Sequence, residues 1–152
     1  MTPERERLVR ESWRQIEPMA QELARLFYER LFELEPATER LFASTDMDAQ
    51  GRKFWQMVAE IVRALDEPDE LVSQTAALGR RHLGYGVTDD QYELVGAALL
   101  WTLERALGSA FTREVGEAWS EAYLMVATVM RRSAGRTSMG GIPSPADSRT
   151  EH

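Results

Sequence analysis

The chain contains no cysteine, which removes disulfides, thiolate catalysis and cysteine-held metal or iron–sulfur centres. No apolar run approaches the roughly 20 residues that a bilayer-spanning helix needs. Positive charge is in deficit: 18 Lys and Arg against 25 Asp and Glu leave a formal net charge of −7. A phosphate backbone would be repelled, so nucleic acid is excluded as the main partner. The opening Met1-Thr-Pro-Glu-Arg-Glu-Arg lacks the apolar stretch of a signal peptide, and a cytoplasmic protein is expected. Alternating β-branched stretches bounded by turns, the mark of a strand, are also missing. Histidine is scarce, with two in the chain, and His152 is the last residue of a polar tail.

What is present describes one soluble helical domain. The 152 residues, 43% hydrophobic and 28% charged, suffice for a single core. Thr2 followed by Pro3 caps a first helix with Val9, Trp13 and Ile16 on its buried stripe. Pro18 starts a second, with Met19, Leu23, Leu26, Phe27, Leu31 and Leu34 on one face, and Pro36 ends it and opens a short turn of helix through Phe42. A polar link over 44–48 leads to a helix aligning Gln50, Phe54, Met57, Val58, Ile61 and Leu65. Pro68 opens the next helix, which Gly84 and Gly86 stop. Thr88-Asp-Asp-Gln91 has the form of a capping box before Tyr92, Val95, Leu99, Leu103 and Leu107. Thr112 caps the last helix, on which Val115, Trp119, Tyr123, Val126 and Met130 align. Arg131 and Arg132 suit its final turn, where cations complement the helix dipole. Trp13 and Trp119 pack the first helix on the last, while Trp55 and Trp101 have no evident place. The expectation is an all-α domain of about seven helices over 1–132, with a flexible, Gly-, Ser- and Pro-rich tail over 133–152.

His82 is the residue that speaks to function. Leu71, Thr75, Leu78 and His82 follow at steps of four, three and four, placing the imidazole on the apolar stripe of its helix. Such a histidine is either satisfied by a backbone carbonyl or presents a lone pair to a metal.

Three strings extend the reading: Leu26-Phe-Tyr-Glu-Arg-Leu-Phe32, Leu78-Gly-Arg-Arg-His82 with Tyr85-Gly-Val87, and Gln91-Tyr-Glu-Leu-Val-Gly96. At these spacings the chain, over roughly Leu8 to Met130, resembles the bacterial single-domain globins, the branch near the haem domain of flavohaemoglobins and neuroglobin. The resemblance implies a globin fold around a haem pocket holding haem b, iron protoporphyrin IX. It makes His82 the proximal iron ligand through Nε2, oriented by the carbonyl of Leu78. Phe42 would stack on the porphyrin, and Tyr28 and Gln50 would form the distal polar pair, with Phe54 one turn beyond. Lys53 and Arg81 would meet the propionates, and Val87, Tyr92 and Val95 would also line the cofactor site.

Bound oxygen gains negative charge on its outer atom, so a tyrosine hydroxyl and a glutamine amide there favour the bound form. The implied function is binding of O2, CO and NO. The alternative is nitric oxide dioxygenase, for which a separate reductase would be the partner, since the chain carries no Gly-rich dinucleotide fingerprint. Sensing is a third reading, without a recognisable output module. In flavohaemoglobins the counterpart of Tyr92 pairs with a late glutamate. Here Ala134 stands at that place, which weakens a peroxidase-like reading.

Overall fold

In this computed structural model residues 1–67, 69–73, 75 and 89–139 are described. They form helices α1 (Pro3–Ile16), α2 (Ala20–Leu34), α3 (Met47–Arg63), α4 (Asp89–Leu107) and α5 (Arg113–Met139), with a helical segment at 69–73. No strand occurs among them, as the periodicity requires.

Local chemistry sets most of the boundaries. Thr2 accepts from the Arg5 amide at 3.2 Å, with Pro3 in the first turn of α1. Pro18 falls inside a 3-10 turn, Glu17–Met19, and α2 begins just after it at Ala20. Proline has no amide proton to give, so the tighter turn absorbs the change of direction. Glu35, held extended by the proline after it, separates α2 from a 3-10 helix over Pro36–Phe42. Asp46 caps α3, its Oδ1 accepting from the amides of Asp48 at 3.0 Å and Ala49 at 3.3 Å. Gly108, at φ +55°, turns the chain out of α4. Thr112 then caps α5 through the Val115 amide at 3.2 Å.

α2 packs against both α3 and α4, and α5 packs against α1 and α4. Where α1, α3 and α5 meet, Trp13 lies 4.9 Å from Trp55, stacked, and 6.4 Å from Trp119. The expected α1–α5 packing is present, and Trp55 gains its place as the third ring. The Trp119 indole N–H donates to the buried Ser12 Oγ at 2.8 Å, and Ser12 donates in turn to the Leu8 carbonyl at 2.7 Å. Trp101, half-buried, is clasped by the guanidinium groups of Arg30 at 5.0 Å and Arg105 at 4.8 Å. It ties α2 to α4.

One boundary differs from expectation. α5 continues through Met139 instead of ending near 132, so residues 133–139 belong to a helix. No proline interrupts the chain before Pro143, and a single helical Gly135 costs only about 1 kcal/mol. Arg131 and Arg132 therefore lie inside the helix and not in its last turn. Thr88 and the tail beyond 139 lie outside the described residues. No helix among the described residues is long and apolar enough to cross a membrane.

Replacing Ser12 by alanine leaves the Trp119 N–H buried without an acceptor, at a cost of roughly 1–3 kcal/mol. Urea unfolding of Ser12→Ala, Trp119→Phe and the double variant should show the double losing less than the sum. Additive losses would mean the hydrogen bond contributes nothing.

Candidate ligand pocket

The candidate site is built where α3 crosses α2. Gly51 makes the crossing close, since a Cβ there would lie 3.1 Å from the Ala24 Cβ. Ala24 is fixed to its helix and cannot swing aside, so the two backbones approach as they do only because Gly51 has no side chain. The Asp46 cap sets the register of α3, and the neighbouring Gln50 consequently faces α2. Gln50 Nε2 donates to the hydroxyl of Tyr28 at 3.1 Å. The two residues paired by resemblance thus meet in space.

Around them the surroundings are apolar. The Tyr28 ring lies 5.0 Å from Phe27, 6.1 Å from Phe32, 5.4 Å from Phe42 and 5.7 Å from Phe54. These are four of the five phenylalanines in the chain, gathered from α2, the 3-10 helix and α3. Phe27 and Phe54 also stack at 4.3 Å. Burial among these rings raises the Tyr28 pKa above the ordinary phenol value, and the Gln50 hydrogen bond opposes the rise. The phenol therefore stays neutral and, having accepted from Gln50, keeps its own proton free to donate.

On α4, Tyr92 is buried and Val95 half-buried. The hydroxyl of Tyr123 donates to the Tyr92 carbonyl, and the Arg131 guanidinium stands 5.1 Å over the Tyr92 ring. Gly96 makes this arrangement fit, because a Cβ there would come within 2.7 Å of the Tyr123 ring. Burial pushes the Tyr123 phenol well above its usual range. The sequence reading missed Arg131. Its step from Ala127, Ala127 being buried beside Tyr92 in the same cluster, was the available signal.

Lys53 is exposed one turn along from Gln50 and makes no ion pair among the described residues. Leu71 and Thr75, the first half of the His82 stripe, are buried, at 5% and 0% exposure, and the Thr75 hydroxyl donates to the Leu71 carbonyl at 2.8 Å. His82, Leu78, Arg81 and Val87 lie outside the described residues. Among the described residues no three His, Cys, Asp or Glu side chains gather as a metal site.

The residue types gathered here are those that would fit a flat apolar macrocycle. They offer aromatic walls, one polar pair where a small ligand would sit, and a cation at the solvent edge.

A profile of the globin family matches residues 25–130. Flavohemoprotein from Xylella fastidiosa (strain 9a5c) is 34% identical over 107 residues, 68% of this chain, which spans only 26% of that protein. Anaerobic nitrite reductase AHB2 from Arabidopsis thaliana is 32% identical over 136 residues, covering 80% of this chain and 86% of that one. A solved structure of a hexacoordinated heme protein from an anhydrobiotic tardigrade superimposes with a TM-score of 0.81 at 16% identity, over 89% of this chain and 96% of that chain.

The raised Tyr28 pKa makes a stability prediction. The folded value lies above the unfolded one, about 10, so the neutral phenol stabilises the fold fully below that pH and the contribution is lost as pH climbs through the folded value. Tyr28→Phe should lose less stability than the parent when urea unfolding is repeated between about pH 10 and 12. Parallel pH slopes would show that the phenol is not held neutral.

Proposed function

The chain belongs to the globin family, and from that premise we propose that it holds haem b and binds O2, with CO and NO as further diatomic ligands. The observation that carries this reading is the Gln50–Tyr28 hydrogen bond of 3.1 Å inside a phenylalanine shell. Haem supplies a ferrous iron whose open face takes diatomic gases. His82 is assigned as the protein ligand to that iron through Nε2, with the Leu78 carbonyl accepting from its other nitrogen. Phe42 and Phe54 are assigned to the macrocycle face and Lys53 and Arg81 to its propionates. Val87, Tyr92 and Val95 complete the lining.

The two polar residues have unequal tasks. Tyr28 presents a neutral O–H to the charge that develops on a bound ligand. Gln50 spends one amide hydrogen on the Tyr28 oxygen, which orients the phenol and polarises its O–H, and retains a second hydrogen to offer. The phenylalanine rings exclude water from these groups, so each hydrogen bond acts in a low dielectric.

A second reading, nitric oxide dioxygenase, uses the same site: Tyr28 and Gln50 would hold oxygen, the haem would supply its reactivity toward NO, and a separate reductase would supply electrons. The protein's similarity to part of a flavohemoprotein favours keeping it. Sustained NADH-dependent removal of NO in cell extract belongs to this enzyme, whereas a carrier is oxidised once by a stoichiometric pulse.

His82→Ala should abolish stable haem incorporation unless imidazole is added, and an unaltered visible spectrum would refute the assignment. Tyr28→Phe, by removing a hydrogen bond to a charged acceptor, should raise the oxygen dissociation rate about tenfold. An unchanged rate in stopped flow would mean the hydroxyl serves another purpose.

A further inference from the structure

Near its C-terminal end α4 carries an exposed doublet of opposite charge, Glu104 and Arg105, one helical turn beyond the half-buried Trp101. Neither forms an ion pair among the described residues. The charges beside them on α1 and α5 do: Arg5 with Glu117 at 3.4 Å and with Glu121, and Arg113 with Glu117 at 3.0 Å. Arg105 is nonetheless held in place, its guanidinium 4.8 Å over the Trp101 ring. That stacking orders the cation before any partner arrives, which lowers the entropic cost of using it.

The doublet borders an open depression of about 880 Å³ between α4 and α5, with Leu100, Trp101, Phe111 and Leu124 in its lining. Leu124 is 58% exposed, the most exposed large apolar side chain among the described residues. A tryptophan and an arginine beside uncovered apolar surface are the residue types that carry most of the energy of protein interfaces.

The arrangement of charge selects the occupant. A partner of one sign would satisfy one member of the doublet and oppose the other. A second copy of this chain satisfies both, because a two-fold axis sets Glu104 of each copy against Arg105 of the other. The formal net charge of −7 makes two copies repel over most of their surface, so a contact must lie where both signs are offered. We propose that the α4–α5 face around Trp101 is a homodimer interface, closed by two reciprocal Glu104–Arg105 ion pairs and by burial of Leu124. The proposal stands apart from the haem reading of the Tyr28–Gln50 site.

Sedimentation velocity of the full chain over a range of loading concentrations tests it. The parent should show a monomer–dimer equilibrium that added salt weakens, since exposed charges are screened. Glu104→Arg and Arg105→Glu should each raise the dimer Kd by roughly tenfold or more, because like charges then face one another. An equimolar mixture of these two variants should dimerise again, each now offering the sign the other lacks. The double variant inverts the doublet without losing its complementarity and should dimerise like the parent. Leu124→Gln, whose charge is unaltered, should also weaken the dimer, and it serves as the test should circular dichroism show the Arg105 variant unfolded. A parent that stays monomeric at every concentration overturns the proposal. So does a dimer indifferent to the Glu104 and Leu124 changes, or a mixture of folded reversal variants that remains monomeric.

Discussion

The close crossing of α2 and α3 is the constraint from which the Tyr28–Gln50 pair follows. Gly51 and Ala24 let the backbones approach, and only at that separation does a side chain as short as glutamine reach the Tyr28 hydroxyl. The Asp46 cap supplies the rotational setting and the crossing supplies the distance. Neither contributes a polar group to the Tyr28–Gln50 pair. The chemistry of the site is thus determined at second remove, by a glycine and a helix cap whose chemical character is unremarkable on its own.

The aromatic shell turns that geometry into reactivity. A phenol in water would exchange its hydrogen bonds with solvent. Among Phe27, Phe32, Phe42 and Phe54 it is held neutral and its oxygen accepts from a single amide. Through Phe54 the same shell joins the row of Trp55, Trp13 and Trp119, whose middle and far members are buried at 5% and 4% exposure.

Much of this was legible in the sequence because it depends on local rules. Helix caps at Thr2 and Thr112, proline positions and the period of apolar residues act over a few residues and predicted an all-helical chain. The pairing of Tyr28 with Gln50 was accessible only through resemblance, since 22 positions separate them and no local pattern joins them. Trp55 and Trp101 stayed without a place for a related reason: their partners, Trp13 on α1 and Arg30 on α2, lie on other helices. Arg131 was assigned to a helix end because the Gly- and Ser-containing stretch after it resembles a terminator. The backbone continues as helix through Met139, and the guanidinium turns instead to the face of Tyr92.

Trp101 stands apart from the row, held between Arg30 of α2 and Arg105 of its own helix. Two guanidinium groups flanking an indole impose an electric field that shifts its emission, and the field changes as soon as α2 and α4 separate. The protein therefore carries its own optical gauge for one helix seam, distinguishable in colour from the indoles sealed in the interior.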